Sequence, residues 1–298
     1  MGDRPGIYRS KDAEAAVHRL YDVARARLPF GTESRFVATR FGATHLLLAG
    51  PGDGPPVLIL QGGNVVNPLT LAWFGPLADR YRLVAPDTIG QPGRSAPVRL
   101  SANDASLAEW IADVMDALGL PDVVVVGASY GAGIVLRLAA LSPGRVNRAA
   151  LIVPAGLSAI PTGSMARLGA AYLADRVTRR RSIVEDVVRR LSAGPPDELM
   201  VESTLLAFRG TKLDTEMPRL ATAQELAGFD APVMVVAAER DPLFPPDRVI
   251  PAARRLFPNL VSGEVLRDAG HMLSAQAALT LAVLLRSFLE GAGGRPES

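Results

Sequence analysis

Short aliphatic runs alternate with stretches of helical periodicity along this chain, and that alternation leaves few folds open to it. Val57 to Leu60, Leu83 to Pro86, Val123 to Val126, Ala150 to Val153, Val233 to Ala237 and Val261 to Leu266 read as strands apolar on both faces. Helical patterns at Pro68 to Arg80, Ser106 to Leu118, Gly131 to Leu141, Pro246 to Leu256 and Met272 to Glu290 fall between and after them. A mostly parallel, doubly wound α/β sheet covered by helices on both sides satisfies the two patterns together.

Two departures from the alternation define the expected organisation. Upstream, Ser10 to Leu28 predicts an amphipathic helix, and Glu33 to Leu48 predicts two strands turning at Gly42. Between Ala155 and Phe229 no strand is predicted, only helical segments at Ala166 to Arg181, Ile183 to Leu191 and Pro196 to Phe208. The expectation is therefore an N-terminal helical extension over 1–30, a core over 31–156 and 230–292, and a helical cap or lid over 157–229. Such an insertion after a central strand lies over the strands' carboxyl ends, where sheets of this kind keep their sites. A short Gly/Pro/Glu/Ser tail follows Glu290.

The sharpest local signal is Gly127-Ala128-Ser129-Tyr130-Gly131, which follows the valine run directly and opens a small-residue helix. Glycines two positions either side of the serine let strand and helix approach closely while the middle residue takes a strained turn that lifts its hydroxyl above the sheet. The pattern is short, so its context decides. A serine hydroxyl is a poor nucleophile without a base, and the base needs an orienting acid. Of three histidines, His18 falls in the first helix and His45 on an early strand. Only His271, after Asp268-Ala269-Gly270, leaves a late strand at the edge where Ser129 lies. The acid is expected where Val233 to Ala237 runs into Glu239-Arg240-Asp241-Pro242. Asp241 fits best, Glu239 is the alternative, and Asp268 is expected to shape its turn. Acyl chemistry also needs two backbone donors for the developing oxyanion. Tyr130 N–H supplies one, and the glycine turn Gln61-Gly62-Gly63-Asn64 the other, assigned to Gly63 with Asn64 as the fallback.

With these motifs in order, the chain resembles the α/β-hydrolase superfamily of esterases, lipases and peptidases over roughly residues 33 to 290. That resemblance implies Ser129 as nucleophile, Asp241 as orienting acid and His271 as general base, acting without a cofactor or metal. The stretch Asp87-Thr88-Ile89-Gly90-Gln91-Pro92-Gly93-Arg94-Ser95 resembles the family's loop before the elbow strand, one residue longer than its common form. Gln61-Gly62 stands where the family usually has His-Gly, which leaves the backbone donor in place. A serine at the elbow argues against dehalogenases and epoxide hydrolases, which carry aspartate there.

The expected activity is hydrolysis of an ester or related acyl bond in a small organic substrate. The same triad applied to C–C cleavage, perhydrolysis or a lyase or cyclase step is the alternative, and a non-catalytic receptor is a third reading. Asn64, Trp73, Phe244 and Met272 are candidate substrate contacts, and Phe74, Met165 and Met217 flank the predicted site loops, although aromatic and methionine side chains are ordinary core residues too. The arginine runs Arg179-Arg180-Arg181 and Arg189-Arg190 are expected as solvated helix faces.

Composition excludes several other classes. With 32 basic and 30 acidic residues the formal charge is +2, too balanced to drive nucleic-acid binding. The absence of cysteine rules out disulfides, thiolate metal sites and cysteine nucleophiles. The segment Met1 to Leu20 is charged throughout, unlike a secretory signal, and the longest apolar stretch, Ala275 to Leu285, is about half of the roughly 20 residues a membrane span needs. A cytoplasmic protein with no membrane partner is expected, its oligomeric state open.

Overall fold

The computed structural model describes residues 6–291; the expected tail beyond Gly291 and the first five residues lie outside the described residues. Helix α1 (Lys11–Ala26) starts where Ser10 accepts a hydrogen bond from Ala13 N–H, with Asp12 and Glu14 in its first turn to complement the helix dipole. It buries Val17, Leu20, Tyr21 and Ala24. Strands β1 (Thr32–Thr39) and β2 (Gly42–Ala49) form the expected hairpin at Gly42, whose φ is +128°. Strand β3 (Pro56–Leu60) leads into α2 (Asn67–Leu71) and a 3₁₀ stretch (Ala72–Asp79). The single helix predicted from Pro68 to Arg80 is therefore divided. Pro76 lies inside the 3₁₀ stretch, where proline lacks the N–H that a continuing α-helix requires.

Strand β4 (Arg82–Pro86), α3 (Ser106–Ala117), β5 (Val123–Ala128), α4 (Tyr130–Leu141) and β6 (Val146–Ile152) follow in order. Three helices come next: α5 (Thr162–Thr178), α6 (Arg181–Ser192) and α7 (Glu198–Gly210). After an extended segment come β7 (Val233–Ala238), α8 (Pro246–Leu256), β8 (Leu260–Leu266) and α9 (Ala275–Glu290). The eight strands form one sheet in the order β1-β2-β4-β3-β5-β6-β7-β8, antiparallel at β1–β2 and β2–β4 and parallel elsewhere.

The side chains of β3 and β5 divide between two apolar layers. Leu58, Leu60 and Val125 face a cluster with α3, α4 and α8, while Val57, Ile59 and Val126 face one with α1, the 3₁₀ stretch and α9. Both faces of the central strands are thus covered, as the continuous apolar runs require. Strand β8 differs from the expectation. It is the sheet edge, and all its residues except Leu266 are at least partly exposed, consistent with the polar Ser262, Gly263 and Glu264 in it. Strand β6 begins four residues before the predicted run, with Asn147 exposed and Arg148 partly so at its amino end.

The topology fixes where a site can form. From β3 the sheet grows toward β4 on one side and toward β5 on the other, so β3 and β5 flank a switch point, and a crevice opens beyond their carboxyl ends. The register Leu60↔Gly127 brings the Gln61-Gly62-Gly63 turn and the Ser129 elbow to the same edge.

Candidate active site

Ser129 stands between β5 and α4 with φ +50° and ψ −114°, a conformation that L-residues avoid. The surroundings hold it there. Its N–H donates to Ile152 O at 2.8 Å, and its carbonyl accepts from Ala132 N–H at 3.0 Å and Ala155 N–H at 3.1 Å. The flanking glycines are sterically required. A Cβ on Gly131 would lie 2.3 Å from Leu60 O, and one on Gly127 would lie 2.6 Å from the Ala132 backbone.

The other two members reach the serine from adjacent loops. His271 Nε2 lies 2.9 Å from Ser129 Oγ, and His271 Nδ1 lies 2.8 Å from Asp241 Oδ2. Asp241 is buried, and its Oδ1 accepts from Leu243 N–H at 2.7 Å and Phe244 N–H at 3.1 Å. The loop after β7 therefore wraps its own amides around the carboxylate and aims the free oxygen at the imidazole. Since a carboxylate only accepts, Nδ1 carries the ring proton and Nε2 presents a lone pair to the Ser129 hydroxyl. Glu239, the alternative acid, points elsewhere: it is exposed, pairs with Arg267, and accepts from Asp268 N–H at 2.8 Å. These partners hold its carboxyl below the usual glutamate value, the Asp268 amide most strongly. Asp268 has φ +54° and forms the turn ahead of the histidine.

The histidine loop is seated by the inserted helices, which sequence reasoning did not anticipate. Met272 N–H donates to Leu191 O at 2.9 Å. Gly270 lies so close to the end of α6 that a Cβ there would meet Leu191 O at 2.3 Å. Phe244 is buried with its ring 5.6 Å from the imidazole.

At the β3 turn, the Tyr130 side chain covers Gly63, since a Cβ on Gly63 would lie 3.2 Å from Tyr130 Cβ. Asn64 takes φ +56°, and its N–H donates to Gln91 Oε1 at 2.7 Å, which removes the fallback oxyanion donor. Gln61 is fully buried. Its Nε2 donates to Val65 O at 2.7 Å and its Oε1 accepts from Thr88 N–H at 3.1 Å, so it staples this turn to the loop after β4.

Of the predicted lining residues, Phe244, Met165 and Met217 come together, with Ala155, Gly156 and Pro218, around a cleft of about 370 Å³. Trp73 and Phe74 instead join the core layer beneath α9, with ring centroids 6.5 Å apart. Met272 is partly buried against that same layer.

The remaining histidines serve the amino-terminal region. His18 Nε2 donates to Gly93 O at 3.1 Å. His45 is fully buried, with Nδ1 3.1 Å from Asp87 Oδ2 and Nε2 2.6 Å from the Ser34 hydroxyl oxygen. Asp87 also accepts from Tyr21 O–H, Asn67 Nδ2 and Arg94 N–H, tying α1 to the sheet.

Known proteins match this architecture. A family profile described as the alpha/beta hydrolase fold matches residues 55–188. The carboxylesterase YbfK of Bacillus subtilis is 28% identical over 285 residues, covering 92% of this chain and 93% of the relative. Its crystal structure, as carboxylesterase CesB, superposes with a TM-score of 0.81 over 94% of this chain and 99% of that one at 24% identity. The naproxen esterase of the same organism gives 0.82 over 93% and 98% at 22% identity.

The chain has the α/β-hydrolase fold, matched by the profile over residues 55–188 and by both superposed carboxylesterases. Within that fold, the protein is a hydrolase of carboxylesterase-like build. Among the described residues no helix is long and apolar enough to cross a membrane.

Proposed function

We propose that this protein hydrolyses carboxylic esters of small organic molecules through an acyl-enzyme on Ser129. The observation that carries the reading is the unbroken series Ser129 Oγ, His271, Asp241, with contacts of 2.9 and 2.8 Å, set on a strained elbow at a helix start. His271 Nε2 takes the hydroxyl proton as Oγ attacks the carbonyl carbon, then returns it to the departing alcohol oxygen. Water repeats the cycle to release the acid. Asp241 keeps the ring in the tautomer that accepts at Nε2. The Gly63 and Tyr130 N–H groups take up the oxyanion, each donor contributing about 3–4 kcal/mol in the transition state.

The residues 157–229 act as a cap on a core formed by 31–156 and 230–292, with 1–30 as an extension. The apolar cleft at Phe244, Met165 and Met217 receives an uncharged aliphatic or aryl group of the ester. The esterase relatives support ester cleavage. Gln61, where the family usually has His, holds the turn through Val65 O and Thr88 N–H and leaves the backbone donors to the oxyanion.

A fluorophosphonate is expected to label Ser129 stoichiometrically, and Ser129→Ala to abolish turnover of a p-nitrophenyl ester. A fully active Ser129→Ala protein would overturn the reading.

A further inference from the structure

The segment leaving α7, before β7, is not a loose connection. Lys212 N–H donates to Ile7 O at 2.7 Å, Ala221 N–H to Gly156 O at 2.8 Å, and Pro218 fills the space that a side chain on Gly133 would need. Asp214 lies in the middle of this strap with a side chain only 5% exposed. Nothing in the triad chemistry calls for a carboxylate there.

Its partners explain it. The Asn64 side chain forms a reciprocal pair with the Asp214 backbone: Nδ2 donates to Asp214 O at 2.9 Å, and Asp214 N–H donates to Asn64 Oδ1 at 2.9 Å. Gln91 closes the bridge, accepting from Asn64 N–H at 2.7 Å and donating through Nε2 to Asp214 Oδ2 at 2.8 Å. Arg99 lies 2.7 Å from the same oxygen, and Glu216 N–H donates to Oδ1 at 3.1 Å. The Tyr130 phenol stands beside this carboxylate; burial and then the Asp214 charge push it above the usual tyrosine value. One residue thus engages Asn64, which follows Gly63 directly, and neighbours the side chain of Tyr130.

We propose that Asp214 is a positioning residue that fixes the two oxyanion donors, Gly63 N–H and Tyr130 N–H, relative to each other. The proposal rests on the esterase reading above. Asn64 holds a left-handed φ of +56°, an orientation that sets the peptide plane next to Gly63, and its amide and carboxamide are committed to Gln91 and Asp214. Across the site the Tyr130 ring lies on Gly63, so a shift of either loop changes the donor spacing. The strap sets that spacing from a distance of 150 residues in sequence.

The test compares wild type, Asp214→Asn and Asp214→Ala with p-nitrophenyl butyrate as substrate and an aryl trifluoromethyl ketone as transition-state mimic. Asp214→Ala is expected to lower kcat about 10- to 100-fold, less than the roughly 10²–10³-fold that deleting a donor costs, with KM within about threefold. Affinity for the ketone falls by the same factor, because its adduct uses the same donors, while the pH midpoint of kcat/KM stays in place because Asp241 and His271 are untouched. Both variants keep the backbone pair with Asn64; Asp214→Asn also keeps a side-chain oxygen that can accept from Gln91 Nε2 or Glu216 N–H while losing the charge, and falls between wild type and Asp214→Ala. It also carries the test if Asp214→Ala does not fold. A purely structural role predicts activity lost only in proportion to sites titrated by fluorophosphonate, with ketone affinity unchanged, and that result overturns the proposal. If wild-type Ser129 is not labelled at all, the esterase reading fails. If it is labelled and both variants match wild type per site, the positioning role alone fails.

Discussion

Two glycine-to-alanine substitutions, both inside helices, are expected to have opposite effects. Gly131 is the second residue of α4, and the added methyl carbon would lie 2.3 Å from Leu60 O and 2.7 Å from Gln61 O. A carbon normally approaches such an oxygen to about 3.3 Å, so α4 and the end of β3 must separate by roughly 1 Å. Overpacking of this kind costs about 1–3 kcal/mol, and backbone on both sides leaves no flexible group to yield. For a chain of this size a net loss near 2 kcal/mol lowers Tm by about 3 °C. The same displacement moves the Gln61–Gly63 turn against Tyr130, and a 1 Å error in a reacting geometry costs about 10²-fold in kcat. Gly169, within α5, has nothing within 4 Å of its added carbon. There the helix propensity of alanine acts alone, a gain of about 0.5–1 kcal/mol with unchanged kcat. Scanning calorimetry and steady-state kinetics on both variants make the test. A Gly131→Ala protein with wild-type Tm and kcat would refute the close approach of elbow and oxyanion turn.

Two further outcomes follow from particular contacts. Asp241→Asn is expected to lower kcat by about 10³–10⁴-fold by removing the acceptor that fixes the His271 tautomer, while Glu239→Gln stays within about twofold on the same ester. Glu225 is held at about 2 first by Arg137, then by Arg219 and Thr222 against the cost of burial. With its folded value below its unfolded one, this carboxylate stabilises the protein above about pH 4.5 and loses that contribution as pH falls toward 2. Urea denaturation should show Glu225→Gln less stable than wild type by about 1–2 kcal/mol at pH 7, allowing for solvent screening of a partly exposed group, with the gap closing below pH 4.

Much of the scaffold was legible because its signals are local. Buried parallel strands need consecutive apolar residues, and helix α8 was predicted over its observed bounds from periodicity alone. The misplaced boundaries have equally local causes. Met272 does not start α9; Ser274 caps it by accepting from Ala277 N–H. The 3₁₀ stretch arises at Pro76, a breaker the helical spacing did not register. The strap through Asp214 left no such trace, since its bonds to Asn64 and Gln91 span 150 and 123 residues and obey no period. The same holds for Leu191 beneath the histidine loop. Trp73, expected at the site because it flanks a predicted site loop, instead follows α2 into the layer under α9.

Side-chain identity alone does not single out Ser129 as the proposed nucleophile, because the chain contains a second Ser–His–Asp series. Ser34 oxygen lies 2.6 Å from His45 Nε2, and His45 Nδ1 lies 3.1 Å from Asp87 Oδ2, distances comparable with those at Ser129. The difference is in the backbone. Ser34 belongs to the regular edge strand β1, with no helix start after it, whereas the residue after Ser129 opens α4 and offers an N–H toward the crevice. His45 is fixed in a strand beneath Tyr21, and Asp87 is shared among four donors, Tyr21 of α1, His45, Asn67 and Arg94 N–H. A proton relay becomes a hydrolytic site only where a strained turn exposes the oxygen and two amides await the charge it creates. On the proposed reading, the glycines at 63, 127 and 131 therefore matter to the function as much as Ser129, His271 and Asp241.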